Sequence, residues 1–132
     1  MSENSEMEML KVVFKTHCEE NGLTYDDYTP VETSSGAIFA SDAEEYSVMD
    51  EDSAGEMFQD MLDRYVEDCI LSEIPEYLHY YFDSDGFKSD VEMNDGRGPT
   101  MAPYDGHEHE YFIPNPDDGQ YPHIAHYVYR IN

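Results

Sequence analysis

Residues Ser53 to Leu71, SAGEMFQDMLDRYVEDCIL, carry the clearest periodicity in the chain. Met57, Phe58, Met61, Leu62, Tyr65, Val66, Cys69 and Ile70 recur at the i, i+3, i+4, i+7 spacing of one buried helical face. Glu56, Gln59, Asp60, Asp63, Arg64, Glu67 and Asp68 fill the gaps, so the opposite face sets five carboxylates against one guanidinium. Ser53 with Glu56 three residues on reads as a capping box, and nothing before Leu71 breaks the helix except Gly55 in its first turn. The stretch predicts an amphipathic helix, with one face for a core and the other a row of negative charge.

The rest of the chain repeats that plan. Its 132 residues suit a single domain with one core. Thirty-one acids against six bases give a net charge of −25, far beyond the roughly 2–8 that keeps a small domain soluble. Leu, Ile, Val and Phe number only 24, a composition that by itself points to disorder. Twelve tyrosines and eight methionines reverse that reading, because they fill a core that the aliphatic residues cannot. The charge is not a tail: residues 23–53 hold nine acids and no base, and residues 72–95 hold seven acids and one lysine. A folded domain under strong self-repulsion is expected.

Working outward, Met7, Leu10, Val13, Phe14, His17 and Cys18 mark a first helix over residues 3–21, with Gly22 placed to end it. Residues 28–33 and 37–40 read as a β-hairpin around Ser34-Ser35-Gly36. Residues 41–52 are half charged and fit either a short helical turn or an acidic loop. Beyond the main helix, Pro75 suits the first turn of another, whose stripe is Tyr77, Leu78, Tyr81 and Phe82. Phe87, Val91 and Met93 suggest a short further element after Gly86. A loop over 95–106 and a strand hairpin over 107–132 follow, the strands at 107–113 and 121–131 joined through a turn at 114–119. The fold class expected is α+β: one small domain of two or three amphipathic helices and short antiparallel strands, including the C-terminal hairpin.

Cys18 and Cys69 both fall on predicted buried helix faces, without disulfide-framework or metal-ligand spacing. The N-terminus is acidic and no apolar run approaches a membrane span, so a cytoplasmic protein is expected. Nucleic acid and anionic membrane are disfavoured as direct partners, and a basic partner is favoured.

Four kinds of chemistry bear on these residues. Asp83, Asp85, Gly86 and Glu92 match part of a calcium-binding loop, but Tyr81 and Lys88 break it, which leaves an acidic turn between helices. His107 and His109, two apart on a strand, could hold zinc together with His123 or His126. A hairpin with histidines on a solvated face explains them without metal. No nucleophile, phosphate-loop or dinucleotide motif is present, neither cysteine has electropositive surroundings, and no catalysis or cofactor is expected.

The fourth is the charge itself. A fold of this mass exposes roughly 7,000 Å², or about one net charge per 290 Å². Duplex DNA, with one phosphate per ~1.7 Å of axis, carries about one per 100 Å². Spread evenly, the acids reach about a third of that density; gathered on one side, as on the main helix, they come close. Such a surface suits a basic, DNA-shaped groove.

Residues Leu62 to Asp95 resemble the C-terminal part of the ArdA antirestriction proteins. The matching residues are Leu62, Tyr65 and Asp68, then Glu73, Ile74, Pro75, Glu76 and Leu78, then Tyr81, Phe82, Asp83, Phe87, Lys88 and Asp90. Ser84 stands where that pattern has an aromatic residue. The resemblance implies a mimic of duplex DNA, made by a phage or plasmid, that occupies the DNA site of a type I restriction–modification enzyme. It also implies that Glu56, Asp60, Asp63, Glu67, Asp68, Glu73, Glu76, Asp83, Asp85 and Asp90 stand in for phosphates. The family's elongated dimer makes a homodimer part of what the resemblance implies. A CRISPR nuclease or another DNA-binding defence protein would present the same kind of groove. Two alternatives stand beside this reading: an acidic adaptor that docks a basic protein without imitating DNA, and a metal-binding module at His107 and His109.

Overall fold

The computed structural model describes residues 2–114 and 123–132. It shows an α+β fold around a five-stranded antiparallel sheet of order β1-β2-β3-β5-β4. The strands are β1 (Thr29–Glu32), β2 (Ala37–Ala40), β3 (Glu45–Asp50), β4 (Glu108–Pro114) and β5 (His123–Arg130). Helix α1 (Ser2–Asn21) covers one face and α2 (Glu51–Tyr65) crosses the other. Residues 115–119 of the expected turn lie outside the described residues.

Period-two alternation sorts the two cores. Tyr46, Val48 and Val128 face α1, where Val13, Phe14 and Cys18 meet them and the Phe14 and Phe39 rings stack at 4.5 Å. Met49, Tyr127 and Tyr129 face the other way, under Ala54, Phe58 and Leu62 of α2. Burying a side chain such as Phe58 or Leu62 stabilises the fold by about 1.5–3 kcal/mol. Gly22 ends α1 at φ +70°, a conformation that costs glycine nothing, and the Leu23 amide turns back to the Cys18 carbonyl at 2.9 Å.

The tyrosine-rich core has a definite chemistry. Tyr28 and Tyr46 donate to Glu44 at 3.1 and 2.8 Å, Tyr127 to Glu110 at 2.8 Å, and Tyr129 to Glu108 at 2.6 Å. Four buried hydroxyls thus take carboxylate partners from strand ends and edges, as buried polar groups must. Burial, with the Glu44 bond second, pushes the Tyr28 phenol up to about 12, and burial with the Glu110 bond does the same for Tyr127.

Several expectations are corrected. Helix α2 starts at Glu51, and its cap is the Asp50 side chain, which accepts from the Ser53 amide at 2.8 Å; Ser53 is inside the helix. Asp50 ends β3 in extended backbone, so the strand-to-helix corner places its carboxylate over the first turn. Residues 45–50 are a central strand rather than a helical turn or an acidic loop, because Tyr46 and Val48 pair with Arg130 and Val128 between two neighbours. The α-helix gives way to a π-turn at Val66–Ile70, and the wider turn leaves Cys69 exposed rather than buried. Residues Glu76–Tyr81 form a 3-10 helix with Pro75 at its cap; no residue of it is buried, so the expected apolar stripe faces solvent. Helix α3 (Ser84–Asp95) begins before Gly86, and the expected loop contains the single-turn helix α4 (Gly98–Met101).

Candidate functional site

The ten carboxylates singled out from the sequence all lie at the surface of one run, from α2 through α3. In α2 each residue turns 100°, so Glu56, Asp60 and Asp63 fall on one stripe opposite Phe58 and Leu62. Glu67 and Asp68 continue it into the π-turn. At 1.5 Å per residue the stripe from Glu56 to Glu67 is about 16 Å long, a length over which one DNA strand places about five phosphates. Glu73 and Glu76 sit in the two 3-10 segments that follow, at Leu71–Glu73 and Glu76–Tyr81.

Helix α3 lies against α2 through the Tyr65 and Phe87 rings, stacked at 6.0 Å, and through Lys88 Nζ, 2.7 Å from Asp63 Oδ1. That pair joins residues 25 apart in sequence. Asp83 caps α3, accepting from the Gly86 amide at 2.9 Å. A Cβ at Gly86 would meet Asp83 Cγ at 2.8 Å, so glycine lets the capping carboxylate close over the helix end. Asp85 and Asp90 stay exposed on α3. Among the described residues Asp63 is the only one of the ten that pairs with a cation, and Asp83 is held by its cap. Residues 51–95 as a whole carry fourteen acids against Arg64 and Lys88.

Carboxylates are not confined to this run. Glu19, Glu20, Asp26, Asp27 and Glu32 are exposed on the α1 and β1 side. The chain's accessible surface is 8514 Å², which for 25 net charges is about 340 Å² each. The average is therefore below the density expected from size alone, and any resemblance to a phosphate surface is local to α2 and α3.

Sequence periodicity missed the aromatic component of the same surface. Tyr77, Tyr80 and Tyr81 are 78, 91 and 77 % exposed, with Leu78 beside them and Glu73 and Glu76 between them and α2. The available signal was the Glu-Tyr-x-x-Tyr-Tyr order, which crowds three rings into residues 77–81. An exposed tyrosine ring offers a large rigid contact area and a face for cations.

The histidines are arranged differently from the expected hairpin cluster. His107 precedes β4, and His109 turns toward α1, its ring 4.8 Å from that of His17. His126 lies opposite Tyr111 in the sheet and is buried, with Nδ1 3.2 Å from the Ile124 carbonyl. The His123 side chain lies outside the described residues. A polar cavity of about 280 Å³ opens beside His17 and His109, walled by Glu44, Asp105 and Arg130. Among the described residues no three His, Cys, Asp or Glu side chains converge as a metal-ligand group. The segment of the partial calcium-loop match is continuous helix from Ser84. No described helix is long and apolar enough to cross a membrane.

No family model, curated protein or solved structure matches this chain.

Proposed function

We propose that this chain is a non-catalytic inhibitor, encoded by a phage or plasmid, that imitates duplex DNA in the host cytoplasm. Its target is the basic DNA-binding groove of a defence enzyme; the ArdA resemblance favours a type I restriction–modification enzyme, and a CRISPR nuclease has a groove of the same character. The observation that supports this best is the exposure of all ten acids from Glu56 to Asp90, within a run of fourteen acids against two cations over residues 51–95. Complementary charge of this kind sets orientation and association rate, and binding is expected to fall steeply with salt.

The test is competition. A labelled duplex bound to a purified type I restriction enzyme is titrated with this protein while anisotropy is followed. Displacement is expected at ~50 mM salt and a large loss of potency by ~200 mM. If the duplex stays bound at every protein concentration, and a panel of other DNA-dependent host enzymes is equally untouched, the proposal is wrong.

One observation favours the acidic-adaptor reading instead. Carboxylates alone would account for phosphate mimicry, whereas the exposed rings of Tyr77, Tyr80 and Tyr81 add a face suited to arginine side chains of a protein partner. A partner held that way would not be released by added duplex DNA.

A further inference from the structure

The two faces of the sheet are not equally covered. Val31, Ile38, Ser47 and Tyr129 lie in one cross-strand row, from β1 through β2 and β3 to β5, and share the face that α2 crosses. Tyr129 is fully buried in that row, whereas Val31 is 56 % exposed. Adjacent strands are ~4.8 Å apart, and a helix with side chains is ~10 Å across, so one helix covers about two strands. Helix α2 lies over β3 and β5, which leaves β1 and β2 open along its flank.

The result is a groove of about 550 Å³ between α2 and the bare half of the sheet. Its floor is Ile38, Ser47 and Met49, its helix wall is Met57 and Met61, and Ser34, Ser35 and Met101 also line it. Four of the chain's eight methionines line this one place. Thioether side chains adapt to differently shaped apolar partners better than branched ones do. Glu56 and Asp60 stand on the rim, with Arg64 further along.

We infer that this groove receives an amphipathic helix of another protein, its apolar side against Ile38, Met57 and Met61 and its cationic side toward Glu56 and Asp60. The open width is that of one helix, and an apolar stripe laid in a groove is a recurrent mode of recognition. Charge selects the occupant. A second copy of this chain would bring another −25 to the same place, and duplex DNA offers no side chain to fill the floor. The inference shares Glu56 and Asp60 with the proposed DNA mimicry, and adds the methionines and Ile38, for which mimicry has no role.

The experiment uses the full chain with ¹³C-methyl-labelled methionine and two synthetic Leu/Lys peptides of about 18 residues. One has all its leucines on a single helical face; the other has the same composition scrambled around the helix. Burial of two or three leucines should make the first bind at least about tenfold more tightly. It should also shift the Met57 and Met61 methyl resonances, which the scrambled peptide leaves in place. Ile38→Gln and Met61→Gln, at half-buried positions, should each remove most of the difference while circular dichroism stays unchanged. Equal binding of the two peptides, or unmoved methyls on the wild-type chain, would overturn the inference whatever the variants do. Concentration-dependent dimerisation abolished by Ile38→Gln would overturn it too, by assigning the groove to a second copy. Displacement of duplex DNA from a restriction enzyme is read in a separate assay, so failure of either proposal is seen without the other.

Discussion

His17 Nδ1 lies 2.6 Å from the Tyr111 hydroxyl, a buried bond that joins α1 to strand β4 at the edge of the sheet. The Asn21 amide, which donates to the His17 carbonyl at 2.8 Å, also points at Nδ1 from 3.3 Å. Two donors converge on that nitrogen, so it accepts, and the ring proton sits on Nε2. Burial first, then the neighbouring His109, lowers the His17 pKa to about 4, with Asp105 opposing.

A lowered histidine pKa makes stability depend on pH with a definite sign. The unfolded chain takes up the proton near pH 6.5 and the folded chain only near 4. Stability from this group is therefore complete above 6.5 and drains away as pH falls toward 4, by roughly 3 kcal/mol in all. His126, also lowered by burial, adds in the same direction. Between pH 7 and 5 the folded His17 stays neutral while the unfolded chain takes up its proton. Thermal melts over that range should show the wild type losing stability faster than His17→Gln. Parallel pH profiles for the two proteins would count against the assignment.

Glu56 has Asp52 four residues before it and Asp60 four residues after it on α2, with no cation within a turn. Like charges at that spacing oppose the helix by roughly 0.2–0.5 kcal/mol per pair. Glu56→Gln should therefore raise the melting temperature at low salt. Added sodium chloride should stabilise the wild type more than the variant, because screening removes what the substitution removes. A melting temperature that falls on neutralising Glu56 would show that the stripe is not under repulsion.

Much of the fold was legible where one residue pattern meets one geometry. The spacing of Phe58, Leu62 and Val66 gives the inner face of α2 and its π-turn, although Tyr65 on the same expected face is 51 % exposed, and Ser34-Ser35-Gly36 gives the hairpin of β1 and β2. Strand β3 was hidden because Glu44, Glu45 and Asp50 crowd the alternation of Tyr46 and Val48. Those acids are structural: Glu44 serves two tyrosines and Asp50 caps a helix. The 3-10 turn at 76–81 defeated the stripe of Tyr77 and Tyr81, since i and i+4 no longer share a face when a turn takes three residues. The candidate acids were easy to name, because exposure is the default for a carboxylate. The contact of Lys88 with Asp63 was not, because it depends on the turns that bring α3 back against α2.

Tyr77, Tyr80 and Tyr81 separate two ways of binding a basic partner. Being exposed, each can be changed to serine with a stability change within about 0.5 kcal/mol. If the surface works through carboxylates alone, the triple variant should displace duplex DNA from a basic groove as well as the wild type does. If the rings take guanidinium groups, its inhibition constant should weaken by at least about tenfold, since interface tyrosines often contribute 2 kcal/mol or more. We expect the weakening. Wild-type potency in the variant would reduce these rings to bystanders.

Glu108 holds the other end of the sheet together. Its Oε2 accepts from Arg97 Nε at 2.8 Å and from the Tyr129 hydroxyl at 2.6 Å, while the Arg97 guanidinium lies 4.4 Å over the Tyr127 ring. Tyr129 is wholly buried, so its hydroxyl has no water to turn to if the carboxylate is removed. Glu108→Ala should cost about 2–3 kcal/mol, the penalty of a charged partner lost from a buried donor. Tyr129→Phe, which removes the donor and keeps the ring, should cost about 1 kcal/mol. Because both changes break one bond, the double variant should be less destabilised than the two single losses added together. Denaturant melts of the four proteins measure this directly, and simple additivity would mean that Glu108 acts on Arg97 alone.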